Sequence, residues 1–200
     1  ASISIFGVLM AILIGTGLVY KEIDKKTITT LLAKPIQRWQ FLLGKFFGLV
    51  LTLFIMTLAM SLIFLVIVLL HTGKLEGRML LAILFIFLEL ILITAVAILF
   101  SCFSTPILSS IFSLSFYLIG HLSWGLETLI QKTRSGAARI AIRALSAILP
   151  DLENFNFKTE IVHGLAIDPK FYLFSALYGL VYTLFILTLA ILIFKKRDFV

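Results

Sequence analysis

From Phe46 to Leu70 the chain carries no charged side chain, and the run consists almost entirely of Leu, Phe, Ile, Val and Met. A bilayer core about 30 Å thick is crossed by about 20 consecutive apolar residues in a helix. In hydrocarbon every backbone N–H and C=O must be satisfied inside the segment, so such a run is helical. Four further runs behave similarly. The expected spans are 3–20, 46–70, 79–100, 107–124 and 171–194. The fold class expected is therefore an all-α membrane protein with five transmembrane helices in one domain, residues 1–200. Composition agrees: 61% of residues are hydrophobic, 14% are charged, Phe alone occurs 19 times, and mean hydropathy is +1.15. A soluble domain carries roughly a quarter charged residues.

These features exclude several classes. The net charge of +7 sits in loops next to spans, with no basic stripe interleaved with stacking aromatics, so no nucleic-acid partner is expected. Cys102 is the only cysteine, which rules out an intrachain disulfide. HTGKLEGR contains Gly-Lys without the spacing of a phosphate-binding loop, and no G-x-S-x-G, H-E-x-x-H or C-x-x-C is present. The chain is not expected to be an enzyme or to hold a metal. The first run has no charged n-region or cleavage site before it and reads as a span, not a signal peptide.

Orientation follows from basic residues beside the spans. Lys21, Lys25 and Lys26 flank the first span, and Lys195, Lys196 and Arg197 close the last. Those clusters place residues 21–45 and the C-terminus in the cytoplasm, with the 71–78 hairpin and the 125–170 loop outside. The outer loops carry nearly as many basic residues, so the assignment rests on the clusters abutting the spans. In the long loop, Ala138, Ile142, Leu145 and Leu149 share one helical face and Arg139 and Arg143 another, which suits a helix lying in the interface from Arg134 to Leu149. With the aromatic LENFNF segment, that helix is expected to form an external gate or re-entrant cover.

The 21–45 segment is longer than a helix–helix connection requires. Thr27 can cap a short helix whose Ile28, Leu31 and Leu32 fall at i, i+3 and i+4, and Pro35 ends it. Its apolar face must meet either headgroups or another protein. Glu89 stands alone in the middle of a span, where a carboxylate costs a few kcal/mol; it is expected to face other helices, paired or protonated. A structural hydrogen bond is the first reading for it, and a substrate or proton role the second. His121 also reads as a hydrogen-bonding residue, because no other His or Cys has ligand spacing to it. Gly44 and Gly48 form a G-x-x-x-G that permits close helix packing.

The run KEIDKKTITTLLAKPIQRWQFLLGK resembles the loop of ATP-binding-cassette (ABC) type-2 permeases: an acid closing one helix, then Thr-x-x-x-Leu-Leu-x-x-Pro-Ile-x-Arg, then Leu-Leu-Gly-Lys. The matching positions are Glu22, Thr27, Leu31, Leu32, Pro35, Ile36, Arg38, Leu42, Leu43, Gly44 and Lys45; Lys26 stands where the family often has Gly. Glu89, SCFSTP, Gly120-His121, Leu149–Asn156 and the closing Phe with its basic residues are similar too. The resemblance implies a sixth helix upstream of Ala1 and a coupling helix seated on a partner ATPase. It implies Glu22, Lys26, Thr27, Ile28, Leu31, Leu32, Pro35 and Arg38 as coupling residues. The expected partners are an ABC ATP-binding subunit, a second permease copy and membrane lipid, in a prokaryotic inner or plasma membrane. ATP and Mg would sit on the partner, with no cofactor on this chain. Two alternatives stay open: a scaffold or assembly factor without transport, and a secondary transporter, which would call for repeats or several intramembrane charges.

Overall fold

The computed structural model describes residues 2–24, 37–74, 77–122, 136, 150–157 and 169–196. Among these the chain forms five α-helices and one 3-10 turn, with no strand. The helices are α1 (Ser2–Asp24), α2 (Arg38–Thr72), α3 (Gly77–Ser101), α4 (Pro106–His121) and α5 (Pro169–Lys196), with the 3-10 turn at Leu152–Phe155 before α5. The chain has the all-α membrane architecture that its apolar runs demand. By length and composition α2, α3 and the Lys170–Lys196 part of α5 can each cross a bilayer, whereas the apolar parts of α1 and α4, Ser2–Gly17 and Pro106–His121, are shorter.

The helices outrun the apolar spans on the side of the α1–α2 connection. α1 continues to Asp24 and α2 begins at Arg38, so charged residues assigned by hydropathy to a connecting segment at 21–45 are helical at both ends. A helix keeps its backbone bonds when it leaves the hydrocarbon, and the headgroup layer accepts the charged side chains. At a rise of 1.5 Å per residue, α2 is about 52 Å long, well beyond the hydrocarbon core. Its start is secured by Gln37, whose backbone N–H donates to Gln40 Oε1 at 3.0 Å. Its end is closed by Gly73, whose φ of 65° permits the left-handed turn that lets its N–H reach the Leu69 carbonyl. α4 starts where Thr105 is extended and Pro106 supplies a preset first-turn φ.

α3 is the hub. It contacts α1, α2, α4, α5 and the 3-10 turn, and from Leu92 to Ile98 every residue is buried. α1 approaches it closely through small residues: a Cβ on Gly7 would sit 2.7 Å from Leu90 Cδ1, and one on Gly15 would sit 3.0 Å from Ala97 Cβ. Two core clusters result. Val8, Ala11, Phe85, Leu90, Ile93, Leu152 and Phe155 fill one, and Leu42, Phe46, Leu49, Ile98, Leu187 and Phe194 fill the other. The outer surface is apolar: Leu70 is 82% exposed, Ile107 77% and Phe174 68%. Buried polar residues, among them Ser4, Thr16, Glu89, Ser101 and Ser113, lie inside. Apolar surface on this scale is incompatible with water and matches lipid.

The Gly44–Gly48 face of α2 is open among the described residues. Both glycines are exposed on α2, and a Cβ on either would meet nothing within 4 Å, so the motif packs no helix among the described residues. On α2, Leu49 and Leu53 join the two core clusters, and Phe54 meets the Phe87 ring of α3 edge-on at 5.4 Å.

Candidate functional site: an intramembrane polar cluster and the two ends of the bundle

Glu89 lies about 18 Å along α3 from Gly77 by helical rise and is 1% exposed. Two elements reach it directly, and a third reaches it through His121. From α1, the Ser4 hydroxyl donates to Glu89 Oε2 at 3.3 Å. From the end of α4, His121 Nε2 lies 2.6 Å from Glu89 Oε1. The other face of the imidazole, Nδ1, lies 3.4 Å from Glu153 Oε2 on the 3-10 turn. Tyr117, one helical turn before His121, presents its ring at 72° to the imidazole with centroids 4.6 Å apart. A carboxylate this deep in a low-dielectric interior persists because its partners satisfy its lone pairs.

The turn that supplies Glu153 is itself buried in the bundle. Leu152, Phe155 and Phe157 are 0%, 1% and 4% exposed. Leu152 fills the space beside Gly120, where a Cβ would come within 2.7 Å of it, and the Phe155 ring fills the space beside Gly179, with the same clearance. Phe157 meets the Phe85 ring edge-on at 4.5 Å and Tyr172 at 4.9 Å. Polar contacts fix the turn's ends. The Asp151 carboxylate accepts from Glu153 N–H at 3.2 Å, Asp151 N–H donates to the Tyr178 hydroxyl at 3.0 Å, and Asn156 Nδ2 donates to Glu153 Oε1 at 2.9 Å. LENF is thus a buried turn held by α3, α4 and α5.

The opposite end of the bundle carries the start of α2. Arg38 donates from Nη1 to the Lys195 carbonyl at 3.0 Å. Just inside, Phe41 stacks on Phe194 with centroids 6.0 Å apart, and Lys45 Nζ lies 5.5 Å from the Phe41 ring centroid. This brings the start of α2 to the same end as the last turn of α5. Of the remaining coupling residues, Glu22 falls within α1, while Lys26, Thr27, Ile28, Leu31, Leu32 and Pro35 lie outside the described residues. The Arg134–Leu149 helix also falls outside them, Gly136 apart.

A family model described as "ABC-2 family transporter protein" matches residues 1–199. The chain belongs to the ABC-2 transporter family. This ABC-2 chain is accordingly an integral membrane transport component, a permease of an ABC system. No curated protein and no solved structure matches it. Its polar cluster joins Glu89 and His121, singled out separately from the sequence, to Glu153 and Ser4, which were not. The signal that could have linked them is weak: a lone acid and a lone histidine in different spans, each in need of a partner. No set of three His, Cys, Asp or Glu among the described residues has the arrangement of a metal site.

Proposed function

We propose that this chain is the membrane-spanning subunit of an ABC exporter. In this reading a separate ATPase hydrolyses ATP with Mg²⁺, and the chain converts the resulting motion into substrate movement across or out of the bilayer. The observation that carries it is the ABC-2 family match over residues 1–199. Two permease copies form the path between them, and the ATPase seats on the Thr27–Pro35 element on the cytoplasmic side. The structure supports the lever part of the reading physically. α2 begins at Arg38, immediately after that element, and runs without interruption to Thr72. Arg38 and Phe41 bind the start of α2 to the last turn of α5. A push on the 25–37 segment therefore displaces two long helices together, which is how a rigid element transmits a domain movement. The overwhelmingly apolar composition of the spans favours a hydrophobic or amphipathic cargo.

The test is purification of the full-length protein in mild detergent from its native membrane, followed by mass identification of what remains bound. The expected result is an ABC ATPase in stoichiometric amount, lost when Leu31 and Leu32 are both replaced by Asp. A homogeneous complex with no ATPase would overturn the reading and favour a non-transporting scaffold.

A further inference from the structure

The imidazole of His121 touches a carboxylate with each nitrogen, Glu89 at 2.6 Å and Glu153 at 3.4 Å. A carboxylate only accepts hydrogen bonds, and a neutral imidazole has a single N–H. Two such contacts at one ring therefore require two protons among the three groups. Either the ring is an imidazolium between two carboxylates, or it is neutral and one carboxyl is protonated. With one proton fewer, a ring nitrogen turns its lone pair toward a carboxylate, and one contact must open.

Burial decides which contact gives way. Glu89 is 1% exposed, and among the described residues its other donor is Ser4. The Glu153 side chain is 44% exposed, and its other oxygen is already held by Asn156. Water can replace the imidazole at Glu153 and cannot readily do so at Glu89. Glu153 is in turn part of the buried Leu152–Phe155 turn, so its contact with His121 is one of the ties between that turn and α4.

We propose that Glu89, His121 and Glu153 form a proton-binding site that fastens the Leu152–Phe155 turn to α3 and α4. The site is closed while it holds its second proton and opens at Glu153 when that proton leaves. The proton departs to water at the exposed Glu153 edge of the site, and Nε2–H continues to donate to Glu89. No other bond changes. Among the described residues, the remaining groups facing the ring and the turn are Ser4 on α1, Tyr117 on α4, Asp151 and Asn156 on the turn, and Tyr172 and Tyr178 on α5. The Asp151–Tyr178 bond is independent of this proton, so the turn loosens at its Glu153 corner and stays anchored at its start. This inference does not depend on the ATPase partner.

The experiment is hydrogen–deuterium exchange on the full chain in lipid nanodiscs between about pH 5 and about pH 8, where an imidazole changes charge. Labelling times are scaled for intrinsic exchange, and the readout is the peptide spanning 150–157. Its protection is expected to fall about tenfold from the acidic to the basic end, the equivalent of one charge-assisted hydrogen bond. In Glu153→Gln, whose amide can either donate to or accept from Nδ1, protection should not vary with pH. Peptides covering Phe85–Ile93 of α3 report that both proteins remain folded. A wild-type turn whose protection is constant or rises with pH would overturn the proposal. So would a Glu153→Gln protein that responds to pH as the wild type does.

Discussion

Replacing His121 with Leu tests whether the intramembrane carboxylate depends on its imidazole. In the native arrangement Glu89 is 1% exposed and has two partners among the described residues, His121 at 2.6 Å and Ser4 at 3.3 Å. Leucine fills most of the volume but leaves Glu89 with one long hydrogen bond. Removing one partner of a buried charged pair costs about 3–5 kcal/mol, because the charge left behind is uncompensated. Translocon scales price a carboxylate at the centre of a membrane helix at about 2.5–3.5 kcal/mol. The expectation is therefore a loss of about 3 kcal/mol. At about 2–4 °C per kcal/mol for a chain of this size, the melting temperature in detergent falls by about 6–12 °C. The deciding measurement is the double-mutant cycle with Glu89→Leu. Exchanging both partners for apolar groups removes the stranded charge and comes close to neutral, so His121→Leu/Glu89→Leu is expected to be more stable than His121→Leu alone. Additive single effects, with a coupling below about 0.5 kcal/mol, would refute the reasoning. A melting temperature for His121→Leu indistinguishable from wild type would refute it as well.

Two further outcomes follow from the same geometry. Gly179→Ala places a methyl 2.7 Å from the Phe155 ring, and overpacking of this kind costs about 1–3 kcal/mol; limited proteolysis should cut within 150–157 faster in that variant, and Phe155→Leu in the same chain should restore resistance. Ser61 and Ser101 form a matched pair of buried hydroxyls: Ser61 Oγ has no hydrogen-bond partner among the described residues, whereas Ser101 Oγ donates to the Thr16 carbonyl on α1 at 3.2 Å. Ser101→Ala should lower stability in a denaturation titration by about 0.6 kcal/mol, the average for an interhelical bond in a membrane, and Ser61→Ala should leave it unchanged or raise it.

The sequence was most informative where lipid leaves the chain no choice. Runs such as Phe46–Leu70 and Met79–Phe100 can only be helices in hydrocarbon, and they are. The ends of the helices were less legible, because hydropathy falls at the headgroup layer while the backbone goes on coiling: α2 begins at Arg38, eight residues before its apolar run. Gly44 and Gly48 show the limit of motif reading, since spacing places two glycines on one helix face without saying what that face meets. Gly7, Gly120 and Gly179, in contrast, lie against Leu90, Leu152 and Phe155, and no local pattern says that they pack so closely. The polar cluster was legible only as need. Glu89 and His121 each require a partner in a membrane, but they are 32 positions apart. Only the packing of α4 on α3 shows that they satisfy each other. Glu153 reads from sequence as a loop acid, since nothing local says that its turn is buried among Leu152, Phe155 and Phe157.

The distribution of charge along the bundle then follows from what each end must hold. Near the start of α2, Arg38 reaches the Lys195 carbonyl and Lys45 lies near the Phe41 ring, contacts that tolerate water and can reform after displacement at little cost. Toward the other end, Glu89 meets His121 away from bulk water, where a change of one proton or one partner is costly, while Glu153 stands at the exposed edge of the cluster. α3 joins the two regions, touching every other helix, and its stretch from Leu92 to Ile98 is closely packed and has little room to deform on its own. A displacement at the Arg38 end is therefore expected to pass through α3 as a rigid shift. The contact in the cluster best able to absorb that shift is the longest and most exposed one, between His121 and Glu153. The element poised to respond at the far end is then the Leu152–Phe155 turn.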